Sequence, residues 1–114
     1  MEVKIGTDIL KAERFFDSYK RGGQNFSERI FTPQELRQNS PEQLASIFCL
    51  KEAIVKALPN LADDWQKIST NRQENGKVNC SITDVNIAAN IESLDTSISH
   101  DGGLIIAVAV VILN

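Results

Sequence analysis

The sequence has few of the residues that cross-link or anchor a chain. It contains two cysteines and one histidine among 114 residues. Cys49 and Cys80 show neither the spacing of a metal site nor a framework of paired bridges. No apolar run follows Met1, and the longest one, residues 104–113, is shorter than the roughly 20 residues that a membrane helix needs. Secretion and membrane spanning are therefore not expected, and a reducing cytoplasm is the expected compartment.

An excess of positive charge is also missing. The formal net charge of −3 argues against nucleic acid as the main partner, because phosphate binding usually brings a basic excess. The chain does have 42% hydrophobic residues, which is typical of a folded globular protein. Its length has room for one domain with a modest core. We therefore treat residues 1–114 as a single domain.

Periodicity in the first half predicts one strand followed by helices. The alternation over residues 3–9 predicts a half-buried strand, with Asp8 facing away from the core. A helix is expected at about residues 10–21, ended by two glycines and a connecting loop at residues 22–25. Two cap-and-proline signals then predict helix starts. They are Thr32-Pro33, opening one or two turns, and Ser40-Pro41, opening a long central helix that Pro59 closes.

The second half of the chain reads mainly as hairpins. The predicted elements are strands at residues 65–69 and 77–82 around a turn at 74–76, a helix capped by Thr83 and running to about Ser93, and strands at 96–99 and 104–113 around a turn at 100–103. The last strand is apolar on both faces, so it is expected to be central or covered on both sides, if necessary by another subunit. This order predicts an α+β fold with a largely antiparallel sheet packed with the long central helix.

Three charges interrupt the apolar run at residues 48–58 of that helix. Lys51 projects from the middle of the apolar stripe, and Glu52 and Lys56 stand one turn apart on its flank. For an arbitrary helix, a surface ion pair beside a lysine whose stem covers apolar surface would explain these charges. The alternative is that the carboxylate and the ammonium converge on one functional point.

Motifs elsewhere in the chain favour that alternative. The sequence contains Ile5-Gly6-Thr7-Asp8-Ile9 near the start, the run 48–58 in the middle, and Ser97-Ile98-Ser99-His100-Asp101 near the end. In this order and at these separations the motifs resemble the holo-acyl-carrier-protein synthases, the small phosphopantetheinyl transferases. Further agreement lies in residues 13–15, in residues 26–36, and in Trp65 and Ile68 ahead of residues 75–77. Each string is weak alone, whereas the ordered set spans nearly the whole chain.

The resemblance implies a magnesium-dependent transferase. Such an enzyme moves the phosphopantetheine arm of coenzyme A onto a serine of an acyl carrier protein and releases adenosine 3′,5′-bisphosphate. The positions that Asp8 and Glu52 match hold the metal, and their hard oxygens suit magnesium. Lys56 would reach the pyrophosphate, because phosphoryl transfer depends mainly on positioning and on neutralising developing charge. Lys51 would hold a phosphate or tie its helix to the strand of Asp8. Asp8, Glu52 and Lys56 are thus the candidate catalytic residues.

The resemblance also implies a homotrimer with active sites between subunits, and a carrier that serves fatty acid synthesis and lipid metabolism or a specialised pathway. In that arrangement His100 meets the adenosine 3′-phosphate of a coenzyme bound to the neighbouring subunit. Two simpler explanations stay open from the residues themselves. Asp8 could cap the helix that follows it, and His100 could be an ordinary turn residue.

The first helix offers a surface for the carrier protein. Carrier proteins are strongly acidic, so Lys11, Arg14 and Arg21 on one exposed side would steer them, although a merely solvated basic face is the simpler explanation. Ile47 stands where relatives commonly carry a coenzyme-binding arginine. A degenerate relative that binds coenzyme A or a carrier without turnover is therefore the rival hypothesis. A non-catalytic interaction domain is the third.

Overall fold

The computed structural model describes all residues from 1 to 114. In chain order the elements are β1 (Glu2–Lys11), α1 (Ala12–Ile30), α2 (Pro33–Gln38), α3 (Pro41–Ala57), β2 (Ile68–Arg72), β3 (Val78–Ile82), α4 (Val85–Ala88), β4 (Ile91–Asp101) and β5 (Leu104–Leu113). Two 3-10 turns, Pro59–Leu61 and Trp65–Lys67, connect α3 to β2. No helix is long and apolar enough to cross a membrane.

The strands form two antiparallel sheets. The larger has the order β1-β5-β4, and β2 and β3 form a separate hairpin. The long helix α3 packs on one face of the larger sheet. At Gly6 a Cβ atom would lie only 1.8 Å from the carbonyl oxygen of Ala53, so a residue without a side chain is required where β1 and α3 meet. The α+β prediction, with an antiparallel sheet packed against a long central helix, is confirmed.

The core lies between α3 and the inward face of that sheet. Helix α3 contributes Leu44, Leu50 and Ile54, which are almost completely buried. Helix α1 packs against α3 through Phe15, whose ring centroid lies 5.4 Å from that of Phe48. Because α3 supplies so much of the core, its remaining polar positions are held in a fixed direction relative to β1.

The two predicted helix caps are confirmed. Thr32 and Ser40 each form a capping box, in which the side chain accepts a hydrogen bond from the third residue and that residue's side chain accepts one in return. Helix α1 breaks at Gly23, whose φ of 54° and ψ of −140° are not helical, so the predicted end of the first helical stretch at the two glycines is confirmed. The connecting loop predicted at residues 22–25 is wrong, because a second helical stretch follows the kink directly and continues to Ile30. Phe26 of this second stretch packs against the core, next to Phe15.

The prediction that Asp8 faces away from the core is wrong. The inward face of β1 carries Gly6 and Asp8, while Val3, Ile5 and Ile9 are 54%, 63% and 64% exposed. The alternation of β1 was therefore read correctly and assigned to the wrong face. The row of apolar residues continues on the outer face of β5. The prediction that this last strand is central is confirmed, because β5 lies between β1 and β4. No element of this chain covers that face.

The predicted boundaries around β2 and β4 also need correction. Trp65–Lys67 is a 3-10 turn, and β2 begins at Ile68. Asp84, rather than Thr83, caps α4 by accepting a hydrogen bond from the backbone N–H of Ile87. Helix α4 ends at Ala88, and β4 starts soon afterwards. The turn between β4 and β5 consists of Gly102 and Gly103 alone. Both have a positive φ, which allows the chain to reverse within two residues. His100 therefore lies in strand β4 and is not a turn residue.

Candidate active site

Asp8 lies at the meeting point of β1 and α3. Its side chain is only 8% exposed, and it points to the same side of the sheet as Ala107, its partner on β5. Lys56 lies beside it, with Nζ 3.1 Å from Asp8 Oδ1 and 3.0 Å from the backbone oxygen of Thr7. Helix α1 begins at Ala12 after a residue without a side-chain cap, so Asp8 is not a helix cap.

Cys49 borders the same carboxylate from within the core. Its Sγ lies 3.5 Å from both Oδ2 and the backbone oxygen of Asp8. Burial, with the negative charge of Asp8 as a second cause, raises the pKa of the Cys49 thiol to about 12. The thiol therefore remains protonated at neutral pH and can donate a hydrogen bond to Asp8. Sequence reasoning gave Cys49 no role, because its side chain meets Asp8 only when β1 and α3 pack together.

Glu52 is the second carboxylate of this cluster. Burial raises its pKa, the neighbouring Asp8 raises it further, and Lys56 opposes the shift, so that the pKa of Glu52 reaches about 7. Two carboxylates and one ammonium therefore share a partly buried space. The predicted convergence of Asp8, Glu52 and Lys56 is what the structure contains. The explanation by a surface pair of Glu52 with Lys56 fails, because Lys56 pairs with the buried Asp8 instead.

The donor set of this cluster suits magnesium. Burial is the main cause of the raised pKa of Glu52, and the neighbouring Asp8 adds to the rise. A divalent cation held by both carboxylates would favour their ionised forms. No group of three or more His, Cys, Asp or Glu side chains is gathered into a closed metal cage. Magnesium usually takes one or two carboxylates and completes its shell with waters and substrate phosphate. The residues present therefore fit this metal.

The prediction that Lys51 holds a phosphate or ties its helix to the strand of Asp8 is wrong. Its Nζ is completely buried and donates to Glu35 Oε1 at 2.7 Å, to the backbone oxygen of Ile30 at 2.8 Å, and to that of Trp65 at 3.4 Å. All three of its donors are used, so it has none left for a phosphate. Lys51 does tie its helix to neighbouring elements, but to the ends of α1 and α2 rather than to the strand of Asp8. The cause is Glu35, the third residue of the Thr32 capping box, which is buried and attracts the ammonium.

His100 lies in a separate groove. Strand β4 is separated from β1 by β5, and the partner of His100 on β5 is Ile105, so the imidazole is not in the Asp8 cluster of its own chain. The groove has a volume of about 490 Å³ and is bordered by the first turns of α3, the β2–β3 hairpin and β4. Two cations that sequence reasoning missed, Arg72 and Lys77, also line it. Only the folding of the hairpin against β4 brings them near the histidine.

The remaining predicted positions are the three basic residues near the first helix and Ile47. Lys11, Arg14 and Arg21 are all exposed. Lys11 ends β1 rather than belonging to the helix, while the two arginines are seven residues apart on one side of α1. Ile47 is only 2% exposed and belongs to the core. Its place in the core explains why a hydrophobic residue is accommodated there.

The chain is similar to known families over nearly its full length. The model of the 4′-phosphopantetheinyl transferase superfamily matches residues 4–109. A holo-[acyl-carrier-protein] synthase from Chlorobium limicola is 30% identical over 120 residues, covering 98% of this chain and 95% of the relative. One from Kocuria rhizophila is 34% identical over 117 residues, covering 96% of this chain and 92% of the relative.

Solved structures agree with these matches. The crystal structure of Helicobacter pylori holo-[acyl-carrier-protein] synthase in complex with coenzyme A has a TM-score of 0.78 and 32% identity, covering 95% of this chain and 99% of that one. The enzyme from Neisseria meningitidis has a TM-score of 0.80 and 28% identity, covering 96% and 97%. Fold and sequence therefore indicate the same family.

Proposed function

This chain belongs to the 4′-phosphopantetheinyl transferase superfamily, and from that premise we propose that it performs the reaction of a holo-acyl-carrier-protein synthase. It transfers the 4′-phosphopantetheine group of coenzyme A to a serine of an apo acyl carrier protein and releases adenosine 3′,5′-bisphosphate. The similar Helicobacter pylori protein was crystallised with coenzyme A. We propose a reducing cytoplasm as its compartment, since both cysteines are free and Cys49 lies in the core.

One observation supports this function above all others. Asp8, Glu52 and Lys56 converge from β1 and α3 although 44 residues separate the first two in the sequence. Neither an interaction domain nor a simple binding module needs two repelling carboxylates in a partly buried space, because such a pair costs stability. A degenerate relative that only binds coenzyme A would use the same metal ligands and the same lysine, so an assay of transfer separates that hypothesis from the enzyme.

Asp8 and Glu52 would hold the magnesium ion. When bound, the metal supplies positive charge against the pyrophosphate of coenzyme A and helps to orient it. Cys49 keeps one oxygen of Asp8 in place, and Lys56 lies against the other. Because both Asp8 oxygens have fixed partners, the carboxylate needs little reorganisation before it acts.

Lys56 is proposed to neutralise the charge that develops in the reaction. The serine oxygen of the carrier forms a bond to the phosphorus that bears pantetheine, and that phosphorus loses its bond to the bridging oxygen of the pyrophosphate. The bridging oxygen leaves with adenosine 3′,5′-bisphosphate, and the serine releases its proton to the solvent. The exposed ammonium of Lys56 can meet the negative charge on the leaving phosphate.

The outer face of the larger sheet is the proposed trimer interface. Ile5, Ile9, Leu104 and Ile106 are 63%, 64%, 39% and 44% exposed on this face, and an uncovered apolar surface of this kind usually marks a protein interface. A homotrimer would bury it and would place His100 of one subunit beside the coenzyme of the next. His100 is then the proposed contact for the adenosine 3′-phosphate.

The exposed side of α1 is the proposed docking surface for the carrier protein. Arg14 and Arg21 lie on it, and Lys11 stands at its start; none of the three forms an ion pair within the chain. Their charges are therefore free to attract an acidic partner, through contacts that salt weakens.

Release of adenosine 3′,5′-bisphosphate tests the proposed function. Chromatography should detect this nucleotide when the protein, magnesium, coenzyme A and an apo carrier are mixed. It should not appear with a carrier whose acceptor serine is replaced by alanine, because the reaction is transfer and not hydrolysis. Glu52→Ala should abolish release, whereas Lys67→Ala, which removes a lysine paired with Asp64 and Asp84 far along the chain, should not. Equal release with both carriers would contradict the proposal.

A further inference from the structure

Arg72 has no role in the reaction as proposed above, although it lies close to His100. It ends strand β2, opposite Val78 of β3, and it lines the groove that also contains His100. It borders a smaller adjoining cavity as well, whose wall includes Ile47. The arginine side chain therefore lies over the part of α3 where Ile47 is buried, and it faces the same space as the imidazole.

The guanidinium of Arg72 is largely without partners. Its one hydrogen bond runs from Nη1 to the backbone oxygen of Gly76 at a length of 3.4 Å, and it takes part in no ion pair. Lys77, the other permanent cation of the groove, lies 3.5 Å from Asp95 and is partly neutralised. Most of the five donors of Arg72 are thus available to an anion, and their forked geometry matches two phosphate oxygens.

We propose that Arg72 is a further binding residue for the terminal 3′-phosphate of coenzyme A, beside the contact already proposed for His100, and that it is the main determinant of affinity for that group. This inference rests on the proposed function. A phosphate monoester carries nearly two negative charges, so a permanent cation beside an imidazole suits it better than the imidazole alone. Arg72 would also explain how the chain binds its coenzyme with the apolar Ile47 on α3, because the cation comes from β2 instead.

Calorimetry with two ligands tests this assignment. We would measure binding of coenzyme A and of its analogue without the 3′-phosphate to the wild type, Arg72→Gln, Arg72→Lys and the control Arg29→Gln. Arg72→Gln should weaken binding of coenzyme A by about tenfold to a hundredfold and leave the analogue unaffected. Arg72→Lys should keep part of the affinity, because it preserves charge but not the fork. Arg29 is exposed on the last turn of α1, outside the groove, and its variant should bind both ligands normally.

Two results would overturn the assignment. One is unchanged affinity of Arg72→Gln for coenzyme A, and the other is an equal loss for both ligands, which would mean that the arginine acts through the fold or on another part of the coenzyme. Melting temperatures of all variants show whether they fold. Transfer at saturating coenzyme A is measured separately. Wild-type protein that binds coenzyme A without transfer would contradict the proposed function and leave the Arg72 assignment standing.

Discussion

Replacing Glu52 by glutamine should stabilise the metal-free protein at pH 8 and abolish transfer. In the folded chain, burial and the neighbouring Asp8 raise the pKa of Glu52 from 4.5 to about 7. Folding is therefore opposed whenever this carboxyl group must be ionised. Glutamine has a similar size and no charge, so it removes the penalty together with a metal-binding oxygen.

The direction of the pH dependence follows from the two pKa values. Between 4.5 and about 7 the folded chain retains a proton on Glu52 that the unfolded chain has lost. The free energy of unfolding should therefore fall as the pH rises through this range and stay low above it. A shift of this size corresponds to about 3 kcal/mol, and we expect about half of that for a side chain that is partly exposed. For a domain of this length the melting temperature should change by about 6 °C.

Melting curves in the presence of a chelator measure the effect. The wild type, Glu52→Gln and the control Glu74→Gln are compared from pH 5 to pH 8; Glu74 is an exposed residue of the hairpin turn. The first two should converge toward pH 5 and separate by about 6 °C at pH 8, with the control following the wild type. Magnesium should then raise the melting temperature of the wild type at pH 8 but hardly that of Glu52→Gln. The reasoning is refuted if the wild type and Glu52→Gln show the same dependence on pH.

Three further predictions concern the metal, the assembly and the carrier. Asp8→Ala should remove transfer but keep the circular dichroism spectrum of the wild type, because Asp8 serves the metal; near-normal activity in magnesium would rule out this ligand. Ile106→Lys, which places a charge on the outer sheet face, should convert a trimer into monomers in sedimentation and abolish transfer. A wild type that sediments as a monomer at micromolar concentration would remove the basis for the trimer. The double variant Arg14→Glu, Arg21→Glu should raise the KM for the carrier about tenfold and leave that for coenzyme A unchanged; an unchanged carrier KM would place docking elsewhere.

Local signals predicted the helices that form the site. Ser40 and Pro41 start α3 by interactions within one turn, so the sequence contains all the information needed. The positions of Glu52 and Lys56 on one flank follow from the helical repeat alone. Asp8, by contrast, came from the resemblance. Only packing of β1 on α3 brings it to the other two residues.

The wrong predictions concern residues whose environment depends on an element distant in sequence or on a surface that the chain itself does not cover. Alternation in β1 shows that two faces differ but not which one the chain covers itself, and the exposed row containing Ile5 and Ile9 looks like a core face. Lys51 looked available because nothing local reveals its partner. Glu35 lies 16 residues earlier, and the two meet only after α2 folds against α3. Arg72 was overlooked for the same reason, since its groove is made by elements distant in sequence.

The most direct test of the account is the intact mass of an apo acyl carrier protein after incubation with this protein, coenzyme A and magnesium. With the wild type, the carrier should gain the mass of one phosphopantetheine group, and with Glu52→Ala it should gain nothing. A carrier mass that stays unchanged with the wild type, for every acyl carrier protein tested, would contradict the central claim that Asp8, Glu52 and Lys56 form a transferase active site.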